Sequence, residues 1–178
     1  MIKNYKQFIN ESKSNYDFGC VMVDYNFTNW QELLQSIDPE DIYEVSGQNY
    51  GLQDRPHLTL LYGLHKEVSD DQIQECFSGF SIDDFKVKIE GVSIFENPEF
   101  DVVKLDVLKT PQLEEINQRL SKLPNTNKFP EYIPHITIGY LKSGTGKKYV
   151  NPDYNYQIKN ISKIVYTKAD SSEYIIQL

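Results

Sequence analysis

The sequence predicts an α+β domain made of two related halves that share one polar surface. Three observations predict it. Short runs that alternate apolar and polar residues are interleaved with stretches of helical spacing. The chain carries 13 Tyr and 9 Phe, residues that favour sheets. Residues 56–62, PHLTLLY, are echoed by residues 134–140, PHITIGY, 78 residues further on.

The elements follow in order. The first fourteen residues, MIKNYKQFINESKS, form a polar arm with Tyr5, Phe8 and Ile9 on one face of a short helix, and residues 15–178 form one domain. YDFGCVMVDY, 16–25, reads as a strand. Thr28 caps a helix over NWQELLQSI, which Pro39 stops. DIYEV, 41–45, reads as a short strand, and HLTLLYG, 57–63, as a longer one ended by Gly63. Ser69 caps a helix that runs through Cys76 and Phe77 to Gly79.

FKVKIEGVSIFE, 85–96, alternates, with Phe85, Val87 and Ile89 on one side and Lys86, Lys88 and Glu90 on the other. Asn97-Pro98 marks a turn, and DVVKLDVLK, 101–109, pairs back onto the preceding strand. Pro111 opens a helix over QLEEINQRLSKL and Pro124 closes it. HITIGYL, 135–141, is a strand, KSGTGKK, 142–148, a loop, and ISKIVYTKA and EYIIQL are the last two strands.

Composition bounds the function. With 178 residues, 39% of them hydrophobic, the chain builds one core rather than two. A net charge of −8 repels duplex DNA and long RNA, so a small nucleotide in a pocket is the easier anionic partner. Cys20 and Cys76, far apart in sequence, read as two thiols of a cytoplasmic protein. There is neither an apolar run of membrane-spanning length nor a secretory h-region, so no membrane partner is expected. No HExxH, EF-hand loop or Cys/His cluster is present; the reading is of a monomer with no metal and no cofactor.

The repeat carries the chemistry. In a strand, residues i and i+2 share a face, so His57 projects with Thr59 and His135 with Thr137. Leu58, Leu60, Ile136 and Ile138 point the other way. Two such strands side by side line a cleft with two imidazoles and two hydroxyls. One neutral histidine takes a proton from the attacking hydroxyl, and the other, as imidazolium, protonates the leaving oxygen. The threonines donate to non-bridging oxygens. A single His-x-Thr is weak evidence. Two copies, each after a proline and holding two of the chain's three histidines, are not.

These motifs, His57-Leu58-Thr59 and His135-Ile136-Thr137, resemble the paired H-x-[ST] signature of the 2H phosphoesterase superfamily, the LigT-like or 2′,5′-RNA-ligase-like proteins. The resemblance runs from about residue 16 to the C-terminus. It implies a pseudo-symmetric bilobal 2H phosphoesterase fold, with two antiparallel sheets facing a central cleft and helices outside. It also implies metal-independent phosphodiesterase activity with His57, Thr59, His135 and Thr137 as catalytic residues. The arm is similar to N-terminal leaders of large tailed-phage proteins, with Ile9-Asn10-Glu11 matching their Ile/Leu-x-Glu cleavage form. Phage members of the superfamily destroy the cyclic oligonucleotides of bacterial CBASS immunity. That resemblance implies a cyclic oligonucleotide substrate in the host bacterial cytoplasm, with virion packaging through the leader.

Substrate-binding candidates surround the motifs. Tyr16 and Tyr132 can stack on a base, Arg55 shares the face of His57, and Lys142, Lys147 and Lys148 can rim a phosphate. By strand parity Tyr62 and Tyr140 face away from the histidines, into the core. His65 has no partner in the repeat and reads as a surface residue. Two other functions stand beside cyclic-oligonucleotide hydrolysis. One is a 2′,3′-cyclic or 2′,5′ phosphodiesterase acting on RNA ends, and the other is a module that sequesters a nucleotide without turning it over.

Overall fold

The alternating runs become eight strands in the computed structural model, which describes residues 18–46, 48 and 50–178. They are β1 (Gly19–Tyr25), β2 (His57–Leu64), β3 (Val87–Glu96), β4 (Phe100–Val107), β5 (His135–Lys142), β6 (Tyr156–Ile158), β7 (Ile161–Thr167) and β8 (Glu173–Ile175). Three helices accompany them among the described residues: α1 (Trp30–Gln35), α2 (Asp70–Cys76) and α3 (Pro111–Leu120). The expected arm over residues 1–14, and Tyr16, lie outside the described residues.

All pairings are antiparallel, in the order β6-β3-β4-β5-β2-β1-β7-β8. The two antiparallel sheets are the four-stranded halves β6-β3-β4-β5 and β2-β1-β7-β8. A single pair, Leu58 with Ile136, joins them, and the whole sheet curls into a half-barrel. Each motif strand lies at the inner edge of its half. The halves match in connection as well, as β1-α1-β2 and β4-α3-β5. These crossovers join antiparallel neighbours.

Local chemistry explains the helices. Ser69 and Gln72 form a reciprocal capping box at α2, and Thr110 caps α3 ahead of Pro111. Trp30, Ile73, Leu113, Ile116 and Leu120 pack with Val21, Val23, Leu58, Leu105 and Ile136 in one buried cluster. All three helices therefore cover one face of the sheet. Among the described residues no helix is long and apolar enough to cross a membrane. Cys20 is buried and Cys76 half-buried, both as thiols.

Some expected elements differ. Residues 41–45 do not form a strand. Pro39–Asp41 make a single 3-10 turn, and Ile42 alone bridges Leu141. Asn29, not Thr28, takes the cap position of α1, with no side-chain hydrogen bond. The three-residue β6 was not read from the sequence, being too short to show a period.

The motif strands share an irregularity. Between β1 and β2 the register steps from Val21–Leu61 to Met22–Thr59, leaving Leu60 as an extra residue. Between β4 and β5 it steps from Val103–Gly139 to Lys104–Thr137, leaving Ile138 extra. Each bulge lies three residues after its motif histidine. A bulge inverts the side-chain alternation beyond it. Tyr62 therefore joins Cys20, Met22 and Val165, and Tyr140 joins Phe100 and Val102, in clusters apart from the helix-covered core. Both tyrosines share the face of the histidines, which corrects the parity argument.

Past the Leu58–Ile136 bridge, β2 and β5 diverge. The exposed edge of β5 is taken by the segment before β2, through Ile42–Leu141 and Leu52–Gly139. The edge of β2 is taken by the segment before β5, through Leu64–Asn125 and a bond from the Thr126 N–H to the Gly63 carbonyl. Gly139 is required there, because a Cβ would stand 2.7 Å from Leu52 Cδ2.

Candidate active site

The register around Leu58–Ile136 builds the site. In an antiparallel ladder one strand counts up as the other counts down. One step to either side of the bridge, His57 stands opposite Thr137 and Thr59 opposite His135. Leu58 and Ile136 are wholly buried against the helices, so the four polar side chains share the opposite face, where His57 is buried and Thr59, His135 and Thr137 are half-buried.

The outer strands extend this pattern. Asp24 on β1 is the direct partner of His57, and Asp106 on β4 of His135. Met22 is the partner of Thr59, and Lys104 of Thr137. Direct partners in a ladder point to the same face, with Cβ atoms about 4.5–5.5 Å apart. One row across the face is thus Asp24, His57, Thr137, Lys104, and the next is Met22, Thr59, His135, Asp106.

Both imidazoles are held alike. His57 Nδ1 lies 3.3 Å from the Arg55 carbonyl and His135 Nδ1 lies 2.8 Å from the Ile133 carbonyl. A carbonyl only accepts, so Nδ1 carries the proton in each ring. That tautomer makes Nε2 the nitrogen that exchanges protons with a substrate. The geometry suits a pair of interchangeable acid–base groups.

Their surroundings differ. Asp24, 3% exposed, pairs with Arg55 at 3.1 Å and with Lys163 at 4.0 Å. Burial holds its carboxyl above the usual carboxylate range, against the pull of Arg55, His57 and Lys163. On the other side, Phe95 meets the His135 ring edge to face at 5.1 Å between centroids. Lys104 Nζ lies over that same phenyl ring at 4.3 Å, donates to Ser93 Oγ at 2.7 Å, and pairs closely with Asp106.

The other expected residues are distributed unevenly. Arg55 is near His57 but engaged with Asp24 and Glu173. Tyr132 donates from its hydroxyl to the Thr59 carbonyl at 3.1 Å, and its ring packs against the core. Burial pushes its phenol far up. It ties the segment before one motif to the strand of the other. Lys142 donates to the Glu40 carbonyl at the far end of β5, Lys147 pairs with Glu96 and Lys148 with Asp41. Lys142 lies five residues past Thr137, roughly 16 Å along the strand. The structure does not bring these lysines to the histidines.

Sequence reasoning missed Asp24, Lys104, Asp106 and the aromatic group of Tyr43, Tyr50, Phe95, Phe100 and Tyr140 on the open face. The signal for the first three was present: each lies on an alternating strand, at polar positions where a plain outer face was assumed. The aromatic group depends on the bulge at Ile138, which leaves no mark in composition.

A model of the 2′-5′ RNA ligase superfamily matches residues 28–161. Among solved structures, Usb1 of Kluyveromyces marxianus has a TM-score of 0.57 at 9% identity, over 92% of this chain and 99% of that one. The same protein with uridine monophosphate gives 0.55 at 9% identity, over 92% and 99%. A crystal structure of a phosphoesterase gives 0.50 at 14% identity, over 91% and 95%. At these identities the likeness speaks for the fold. No curated protein matches the sequence. The family model spans both His-x-Thr strands and most of the sheet that carries them: the chain belongs to the 2′-5′ RNA ligase superfamily of 2H phosphoesterases and is a phosphodiesterase of that family.

Proposed function

We propose that the protein cleaves the phosphodiester of a cyclic oligonucleotide without a metal, and that this serves phage evasion of CBASS-type immunity. The observation that carries the chemistry is the buried Leu58–Ile136 bridge, whose register sets His57 opposite Thr137 and Thr59 opposite His135. A phosphate over that bridge has a hydroxyl donor and an imidazole on each side. One Nε2 takes the proton of the attacking hydroxyl as the new P–O bond forms. The other gives its proton to the oxygen that leaves. Thr59 and Thr137 hold the non-bridging oxygens as charge redistributes over them.

Two features support a small cyclic substrate. The net charge of −8 disfavours long polyanions. Tyr43 and Tyr50, half-buried in the aromatic group on the histidine face, are candidates to stack on a base of the substrate. A second reading, cleavage of a 2′,3′-cyclic or 2′,5′ linkage at an RNA end, is favoured by the fold likeness to Usb1, one of whose structures carries uridine monophosphate.

The test is incubation in EDTA with cyclic di- and trinucleotides, a 2′,3′-cyclic mononucleotide and a 2′,5′-linked oligoadenylate, read by mass spectrometry. Cleavage confined to the cyclic oligonucleotides, and lost in His57→Ala, is the expected result. Cleavage of the other substrates alone moves the protein to RNA-end processing. Binding without cleavage makes it a sequestering module. Inhibition by EDTA that a divalent ion reverses removes the metal-free step.

A further inference from the structure

Among the described residues Lys104 is the one buried lysine, 4% exposed, and neither sequence motif includes it. It stands on the open face as the direct partner of Thr137. The equivalent position in the other half, the partner of Thr59, is Met22, which is equally buried. The repeat thus supplies its own control. An unbranched apolar side chain fills this place in one half, so packing does not require an ammonium in the other. Burying a charge is costly and persists where something compensates or uses it.

The compensation is incomplete. An ammonium has three donors. Lys104 gives two of them to Ser93 Oγ and Asp106 Oδ1, and among the described residues its remaining side meets the face of Phe95. A phenyl face is a weak partner beside a phosphate oxygen. Asp106 is also the direct partner of His135, and Phe95 packs on the His135 ring, so two of the three groups that Lys104 touches border the second motif.

We propose that Lys104 is the fixed cation of the phosphate site, taking a non-bridging oxygen of the substrate on the Thr137 side while Phe95 yields. The two halves of the cleft are then unequal: the Thr137 side supplies a hydroxyl and a charge, and the Thr59 side a hydroxyl alone. The inference rests on the phosphate lying over the two His-x-Thr motifs.

The experiment titrates the full chain, labelled with 13C at lysine Cε and 15N at the backbone, with inorganic phosphate. The expected result is saturable movement of the Lys104 Cε resonance together with the Thr59 and Thr137 amides. Movement of the amides with Lys104 unmoved overturns the role of Lys104 and leaves the site standing. Amides that do not move overturn the placement of the phosphate, and this inference with it. Kinetics give the second arm, on whichever nucleotide the wild type cleaves. Lys104→Met, which copies Met22, is expected to lower kcat/KM about 100-fold at unchanged Tm, with Lys104→Arg recovering a large part. A Lys104→Met protein that stays within about threefold of wild type overturns the proposal.

Discussion

Leu58 and Ile136 face each other where, among the described residues, β2 pairs with β5 to join the two halves of the sheet, and both are wholly buried. This contact sets the spacing of the four motif side chains on the opposite face. Truncating either residue removes buried volume at the seam, where few ladder bonds can compensate. Leu58→Ala and Ile136→Ala are each expected to cost about 2–5 kcal/mol in urea unfolding. Their kcat/KM should fall further than that of Leu113→Ala, equally buried but on α3. Equal losses of activity among the three variants would show that the seam has no special part in the geometry.

The motif side chains belong to none of the hydrophobic clusters, although His57 is buried, so their removal bears more on chemistry than on folding. His57→Ala and His135→Ala are each expected to lose about 10²–10⁴ in kcat with little change in Tm. Thr59→Ala and Thr137→Ala each lose one donor and should be milder than the histidine variants. If either histidine variant kept full turnover, the acid–base pair would have to be sought elsewhere.

Much of this was legible in the sequence because a strand has a period of two and the repeat occurs twice. Placing His57, Thr59, His135 and Thr137 on one face needed only parity and the echo of PHLTLLY in PHITIGY. The same parity failed at Tyr62 and Tyr140, because it assumes an unbroken ladder and each strand carries one extra residue, Leu60 or Ile138. Leu and Ile in a bulge look like Leu and Ile in a strand. Lys104 was passed over for a related reason. A lysine alternating with apolar residues reads as solvent-facing, yet Lys104 is buried with its ammonium over Phe95.

Gly139 follows the second bulge and lets the segment before β2 lie against β5. A valine there would drive its Cβ into Leu52 Cδ2, at 2.7 Å, and toward the Gly51 carbonyl, at 3.1 Å. Gly139→Val is expected to destabilise by about 1–3 kcal/mol. It should also increase hydrogen exchange at the Gln53 amide, whose partner is the Ile138 carbonyl. Unchanged exchange at Gln53 would show that the segment does not depend on this close approach.

Tyr132 joins the segment before the second motif to the strand of the first, through its bond to the Thr59 carbonyl. Tyr132→Phe keeps the ring and removes the donor. The expected cost is about 0.5–1.5 kcal/mol in stability, with a fall in kcat larger than any rise in KM, because the phenol touches Thr59 rather than a base. A pure rise in KM would return Tyr132 to the role of a base-stacking residue.

Asp24 gives the protein a pH signature with a definite sign. Burial raises its folded pKa above the ordinary value of 3.8, so the folded state holds the proton more tightly than the unfolded chain. Its contribution to stability is therefore fully present below that ordinary value and is lost as pH rises through the folded pKa. Above it, the carboxylate is a buried charge that Arg55 and Lys163 only partly offset. Asp24→Asn should thus raise Tm relative to wild type at about pH 7, with the gain shrinking toward about pH 3.5. The same variant should slow turnover, since Asp24 is the direct partner of His57. An Asp24→Asn protein less stable than wild type at neutral pH would mean that the ion pairs with Arg55 and Lys163 outweigh the burial of the carboxylate.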